Sequence, residues 1–280
     1  MELVNTALNG LAWYLWASAF VFPRYAVKSS QPLTLLSTLR AETPQSFGRV
    51  FALSGLVVLL GLRAVGYWNF SQDPFAHLSV DFGVLVVSFK TESLAQMGLY
   101  SVGSFLVFLL IYYTGVVGLS VTNRQRSRVD SIENLIDQQI GGIASWHPAS
   151  KVGALFGVGV VLWIVFGILL HLASVLPEEW SPLAVIWQSP FVALSLTLWV
   201  AKVIFALIAL HFLNSYVYLG EHPVWAYIDK TAKVYLTPFR RLPLVVGRFD
   251  FAPIVGFLFY WWLFGGLGLL SRLIFQRLPV

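Results

Sequence analysis

The side chains best able to do chemistry are few and scattered: Lys202 inside an apolar run, His211 at its end, then Trp225, Tyr235, Arg240, Arg241 and Asp250 in the stretch that follows. A lysine in apolar surroundings is costly and normally turns toward a partner or a water-filled space. For Lys202 the candidates are helix carbonyls, Ser195, Thr197 or water, or a neutral amine. Snorkelling to the interface or packing against polar groups are the structural alternatives. His171 and His211 could suggest haem, but each falls near the C-terminal end of one of two successive, oppositely directed runs, which puts them on opposite sides of the membrane, so one iron cannot take both. His77, His147 and His222 lie between runs, without H-x-x-E-H or H-E-x-x-H spacing. The chain has no cysteine, which excludes disulfides, thiolate nucleophiles and thiolate metal sites within it. No phosphate loop, dinucleotide fingerprint or nucleophile elbow occurs. The expectation is therefore no catalytic residue, no cofactor and no metal.

The elements that must position these residues are apolar and long. Of 280 residues, 58% are hydrophobic and 11% charged, against about a quarter charged in soluble domains. Six runs stand out: Leu3–Phe22, Phe47–Gly66, Gly98–Ser120, Val152–Val175, Pro190–Leu213 and Phe251–Ile274. Each is close to the roughly 20 residues that cross a bilayer as helix. The fold class expected is all-α, a polytopic helical membrane protein with about six transmembrane helices and interfacial amphipathic helices. The first run is the weakest, diluted by Asn5, Thr6 and Asn9 and ended by Pro23-Arg24; an interfacial or buried helix is its alternative. Its start, MELVN, lacks the basic residues of a cleavable signal, so the run reads as retained.

A repeat is expected from spacing. The stretch from Gly66 to Phe75 precedes Ser215 to Val224 by 149 residues, and the same offset lays run one on run four and run two on run five. Two units of three spans would be inverted relative to each other. The domains expected are residues 1–122, a connector over 123–150, and residues 151–280. Basic residues gather after spans one, three and five, including Arg24, Arg49, Arg124, Lys151, Lys230, Arg240 and Arg241. Basic loops stay cytoplasmic, which places both termini on the non-cytoplasmic side. Between spans, Glu42-Thr-Pro-Gln reads as a capped helix entry. Asn123–Gln139 carries Ile132, Leu135 and Ile136 at helical spacing, with Ile140 just beyond, and reads as a surface helix. Asp73, Asp81 and Glu92 read as a solvated face. The net charge of +5 fits orientation and anionic headgroups; no nucleic acid is expected.

The stretch from Asn214 to Asp250 joins the last two runs. Pro223 can open a helix, because its missing N–H is tolerated in the first turn. Trp225, Ile228 and Tyr235 would face the membrane interface, and Asp229, Lys230 and Lys233 water or headgroups. Pro238 and Pro243 would stop the helix and leave Arg240-Arg241 at headgroup depth. Arg241 could instead pair with Asp250. Asp250 can also cap the last span, with Pro253 in that span's first turn. Thr231-Ala-Lys-Val-Tyr-Leu-Thr-Pro-Phe-Arg-Arg-Leu-Pro and Phe249-Asp-Phe-Ala-Pro-Ile-Val resemble the two motifs of the YggT family of small integral membrane proteins, which has chloroplast and cyanobacterial relatives. Lys233 and Thr237 stand where that pattern has proline and arginine, and His211 where family spans often have arginine. The resemblance covers about Val200–Leu270. It implies roles in membrane or division organisation, osmotic tolerance or haem-attachment assembly, none of them a defined reaction.

Taken together, these features lead us to expect a non-enzymatic membrane scaffold or assembly factor in the bacterial cytoplasmic membrane. Its partners would be anionic lipid headgroups and a membrane protein or a second copy of the chain. The alternative is a small-solute or ion transporter built from inverted repeats around Lys202.

Overall fold

The computed structural model describes residues 2–21, 45–70, 77–123, 131–177, 180–217, 222–246 and 249–278. In chain order its elements are α1 (Glu2–Phe20), α2 (Gln45–Phe70), β1 (His77–Asp81), β2 (Val86–Lys90), α3 (Leu94–Thr122) and α4 (Ser131–Ile140). A 3₁₀ turn over Gly141–Ser145 leads to α5 (Pro148–Leu172), α6 (Pro182–Thr197), α7 (Val200–Tyr216) and α8 (Pro223–Leu236). A second 3₁₀ turn (Phe239–Arg241), β3 (Val245–Val246), β4 (Phe249–Asp250) and α9 (Ala252–Phe275) complete it. The Glu42-Thr-Pro entry, Asp73, Arg24 and Arg124 lie outside the described residues.

Five described helical stretches are long and apolar enough to cross a membrane: Gly48–Asn69, Leu94–Thr122, Pro148–Leu172, Leu183–Tyr216 and Ala252–Phe275. They match expected runs two to six. Run one forms α1 but is not among the five, which corrects the expected six by this measure. The all-α expectation holds for the bulk of the chain. Two antiparallel hairpins, β1–β2 and β3–β4, were not expected. No repeat is detected among the described residues. The 149-residue offset would superpose the β1–β2 hairpin on α8, so the two halves differ in secondary structure where they should correspond.

The chain divides into two compact units. The first comprises Met1–Asp81, Val86–Leu109 and Phe166–Glu178. In it α1 lies against α2, and Ala12, Leu56 and Phe105 form a core with Leu15 and Trp16 packed on it. Gly103 is needed there: a Cβ would come within 2.4 Å of the Phe166 ring. The β1–β2 register pairs His77 with Lys90, and buried Phe89 meets Tyr100 edge-on at 5.7 Å. Asp81 and Glu92 are exposed, as a solvated face requires.

The second unit comprises Phe82–Leu85, Leu110–Val165 and Glu179–Val280. One core is Ile204, Ile208, Leu236, Phe239 and Ala252, where α7, α8 and α9 meet. Val116, Val117 and Ile140 form another core, with Ile136 packed on it; Ile136 and Ile140 of α4 are seated as their spacing predicts, while Leu135, expected on the same face, is exposed. The expected fifth span is two helices. Pro190, expected at its start, lies inside α6, which begins eight residues earlier where Ser181 caps the N–H of Ala184. Proline cannot donate to the Ile186 carbonyl. The Ser189 hydroxyl does so instead, at 2.7 Å. The real interruption is at Leu198–Trp199, where three-residue hydrogen bonds replace four-residue ones: Trp199 N–H to Leu196 O and Lys202 N–H to Trp199 O. This is a tightened turn with its amides bonded, not an unwound segment.

Candidate functional site

Helix α8 is the centre of the site. His222 precedes it in extended conformation and its ring accepts from the Val224 N–H, while Pro223 occupies the first turn as expected. Tyr227, Ile228, Thr231, Ala232 and Leu236 are buried, and Trp225 and Tyr235 are half-buried. The spacing of the buried positions is that of one helical stripe. After Leu236, Thr237 bonds back to the Lys233 carbonyl and the backbone turns into Phe239–Arg241.

The polar residues of α8 are tied inward. Asp229 accepts from His211 Nδ1 at 2.8 Å and from Asn214 Nδ2 at 2.9 Å, bridging α8 to the last turns of α7. An ionised carboxylate only accepts, so the His211 proton sits on Nδ1. Lys230 reaches Glu133 of α4 at 2.7 Å, with both side chains largely shielded. Asn123, at the end of α3, donates to the Tyr227 hydroxyl at 2.8 Å and to Thr231 Oγ1 at 3.0 Å. Thr122 gives its hydrogen to the Gly118 carbonyl, so Tyr235 donates to Thr122 at 2.6 Å. The expectation that Asp229 and Lys230 face water or headgroups is therefore corrected: both have buried or half-buried partners within reach. Burial pushes the Tyr227 phenol up to about 12, against the lowering effect of its Thr231 and Asn123 bonds. Burial also raises Tyr235, opposed by Thr122.

Arg240 and Arg241 are exposed on the turn that follows. Among the described residues neither forms an ion pair. Asp250 does not meet Arg241; its carboxylate accepts from the Ala252 N–H at 2.8 Å and caps α9, with Pro253 in the first turn. Lys202 points outward from α7, with its ammonium 3.2 Å from the centroid of the Trp199 ring. Ser195 and Thr197, its candidate partners, give their hydroxyl hydrogens to Phe82 or Val192 and to Leu194. The structure thus brings His211 and Tyr235 into the α8 contacts. It leaves Lys202 on an exposed helix face and Asp250 at a helix end. Among the described residues no group of three acidic or histidine side chains could hold a metal ion.

Sequence reasoning missed Asn123 and Glu133 as partners of α8, and it missed Arg63 in the first unit. Arg63 is 5% exposed on α2. Its guanidinium donates to Asn9 Oδ1 at 2.7 Å, Ser104 Oγ at 2.8 Å and Asn5 Oδ1 at 3.2 Å. The rings of Tyr100 and Tyr67 lie 5.4 and 5.7 Å from it, and the hydroxyls of both bond Asn5. No carboxylate pairs with it among the described residues. A signal was present: Asn5 and Asn9, and Arg63 and Tyr67, are each four apart in apolar helices and so share a face.

Five apolar spanning stretches with a surface helix pinned by polar ties define a polytopic integral membrane protein. Residues 190–270 match a family model described as CCB3/YggT, which bears out the resemblance over the second half of α6, α7, α8, β3–β4 and most of α9. No curated protein matches the chain, and no solved structure does.

Proposed function

We propose that the chain is a non-enzymatic membrane scaffold or assembly factor that works through the turn following α8. The observation carrying this reading is the contrast along one short stretch. Asp229, Lys230, Tyr227 and Tyr235 are bonded inside the protein, while Arg240 and Arg241, a few residues on, are exposed. A pinned helix fixes where the turn that carries the two arginines stands, and guanidinium groups suit recognition of phosphate or carboxylate groups. We place the turn on the cytoplasmic face of a bacterial cytoplasmic membrane, with both termini on the other side, on the strength of the basic loops. We also take α1 as a sixth span. At 1.5 Å per residue its 19 residues reach about 28 Å, and the asparagines that lower its hydropathy are the ones that bond Arg63. Partners on this reading are anionic headgroups and a membrane protein or second copy.

Replacing Arg240 and Arg241 by glutamate tests it. Each exposed basic residue near an anionic surface contributes roughly 1 kcal/mol, and reversal adds repulsion. The expected result is normal abundance and insertion with lost binding to anionic vesicles and to captured membrane partners. Retained binding of both kinds would sink the proposal.

A further inference from the structure

A recess of about 220 Å³ opens in the second unit where the end of α3, α4 and its 3₁₀ turn, the start of α5, and α8 come together. Its buried groups are Ser120, Asn123, Lys151 and Tyr227, together with Glu133, which bonds Lys230. Its exposed groups are Asn134, Asp137 and Ser145. A rim of this polarity opens to water rather than to acyl chains, which would demand apolar surroundings.

The charges are arranged in sequence. Lys151, 2% exposed, donates to Ser120 Oγ at 2.8 Å, and Ser120 donates to Asp137 Oδ1 at 3.3 Å. One hydroxyl therefore sets a buried ammonium beside a carboxylate on the same cavity. The Tyr227 hydroxyl is held by Asn123 and Thr231 on the wall of the recess. Asp137 keeps acceptor sites beyond the one that Ser120 fills. A simple anion entering here would meet Asp137 and Glu133, and a simple cation would meet Lys151. A ligand carrying both signs close together completes an alternating row without adding net charge. At about 220 Å³ the recess is smaller than the clefts that hold drug-sized molecules, so the ligand is small.

We propose that this recess binds a small α-amino-acid zwitterion, its carboxylate against Lys151 and its ammonium against Asp137. The site is separate from the Arg240–Arg241 surface and does not depend on the scaffold reading. Ligand bound here would also brace α8, because Tyr227 belongs to that helix and Glu133 holds Lys230.

The test is calorimetric titration of the purified full chain in detergent with alanine, N-acetylalanine and alaninamide, each capped form lacking one charge. Saturable binding of alanine, weakened at least about tenfold by either cap, is the expected result. Asp137→Asn and Ser145→Trp, one removing the carboxylate and one filling the exposed lip, should each weaken alanine by a similar factor. The ligand-free melting temperature of Ser145→Trp should stay at the wild-type value, so that its loss of binding reads the recess alone. Absence of saturable binding, equal binding of the capped forms, or wild-type affinity in Ser145→Trp would overturn the proposal. So would binding of phosphoethanolamine in place of alanine, which would reassign the anionic group.

Discussion

Asp229 is the residue on which the α8 contacts most depend, because it alone serves two donors on another helix. Asp229→Ala leaves His211 and Asn214 facing lost acceptors. A half-buried polar group stripped of its partner costs about 1–3 kcal/mol, so unfolding in detergent should shift by that order, and Asp229→Asn by less. Tyr227 gives a pH test. Its folded pKa of about 12 stands above the unfolded value near 10.0, so the unfolded chain loses this proton first. Below pH 10 its contribution is fully present, and stability falls as pH rises from about 10 to about 12. A melting-temperature series across that window should flatten in Tyr227→Phe; an unchanged slope would contradict the assignment. Lys202 shows the limit of reasoning from residue type. It lies in an apolar run, as the sequence says, yet its side chain is exposed, and its ammonium rests on the ring of Trp199, three positions back, which supplies a negative face.

At the scale of elements, legibility followed local chemistry. The start of α8 at Pro223, the Asp250 cap of α9 and the seating of Ile136 and Ile140 on α4 were readable because each is set by residues within a few positions. The α6–α7 interruption was not, since Pro190 marks a break only where no neighbour replaces its hydrogen bond, and Ser189 does. The β1–β2 hairpin was hidden by a turn at Gly83, whose φ of 88° permits it and whose missing Cβ leaves room for Ser195. The inward bonds of Asp229 and Lys230 were invisible because their partners are far away in the chain or on another helix. For α1 the prediction concerns the Arg63 cage. Asn5→Leu with Asn9→Leu strands a buried cation and should destabilise the protein by about 3–5 kcal/mol. Adding Arg63→Met should restore much of that loss, since it removes the buried cation itself and leaves only the neutral hydroxyls of Ser104, Tyr67 and Tyr100. Folded yield in membranes measures both, and a triple variant no better than the double would mean that the cage does more than offset one charge.

For the whole molecule, the orientation rests on loop charge and can be checked directly, because the sequence has no cysteine to interfere. Thr237→Cys should be protected from an impermeant thiol reagent in intact cells, and Arg277→Cys should react. The reverse pattern would invert the topology. The long-range ties carry one more consequence, for biosynthesis. Glu133 and Lys230 are separated by 97 residues, and Asn123 and Tyr227 by 104. At about 5–20 residues per second, ribosomes leave an interval of roughly 5–20 s between making one side of these contacts and the other. Throughout that interval the ends of α3 and α4 expose a carboxylate and an amide whose final partners do not yet exist. The nascent chain must therefore be held by water, headgroups or a helper protein until α8 emerges, and premature termination anywhere before Lys230 yields a fragment with that surface permanently open.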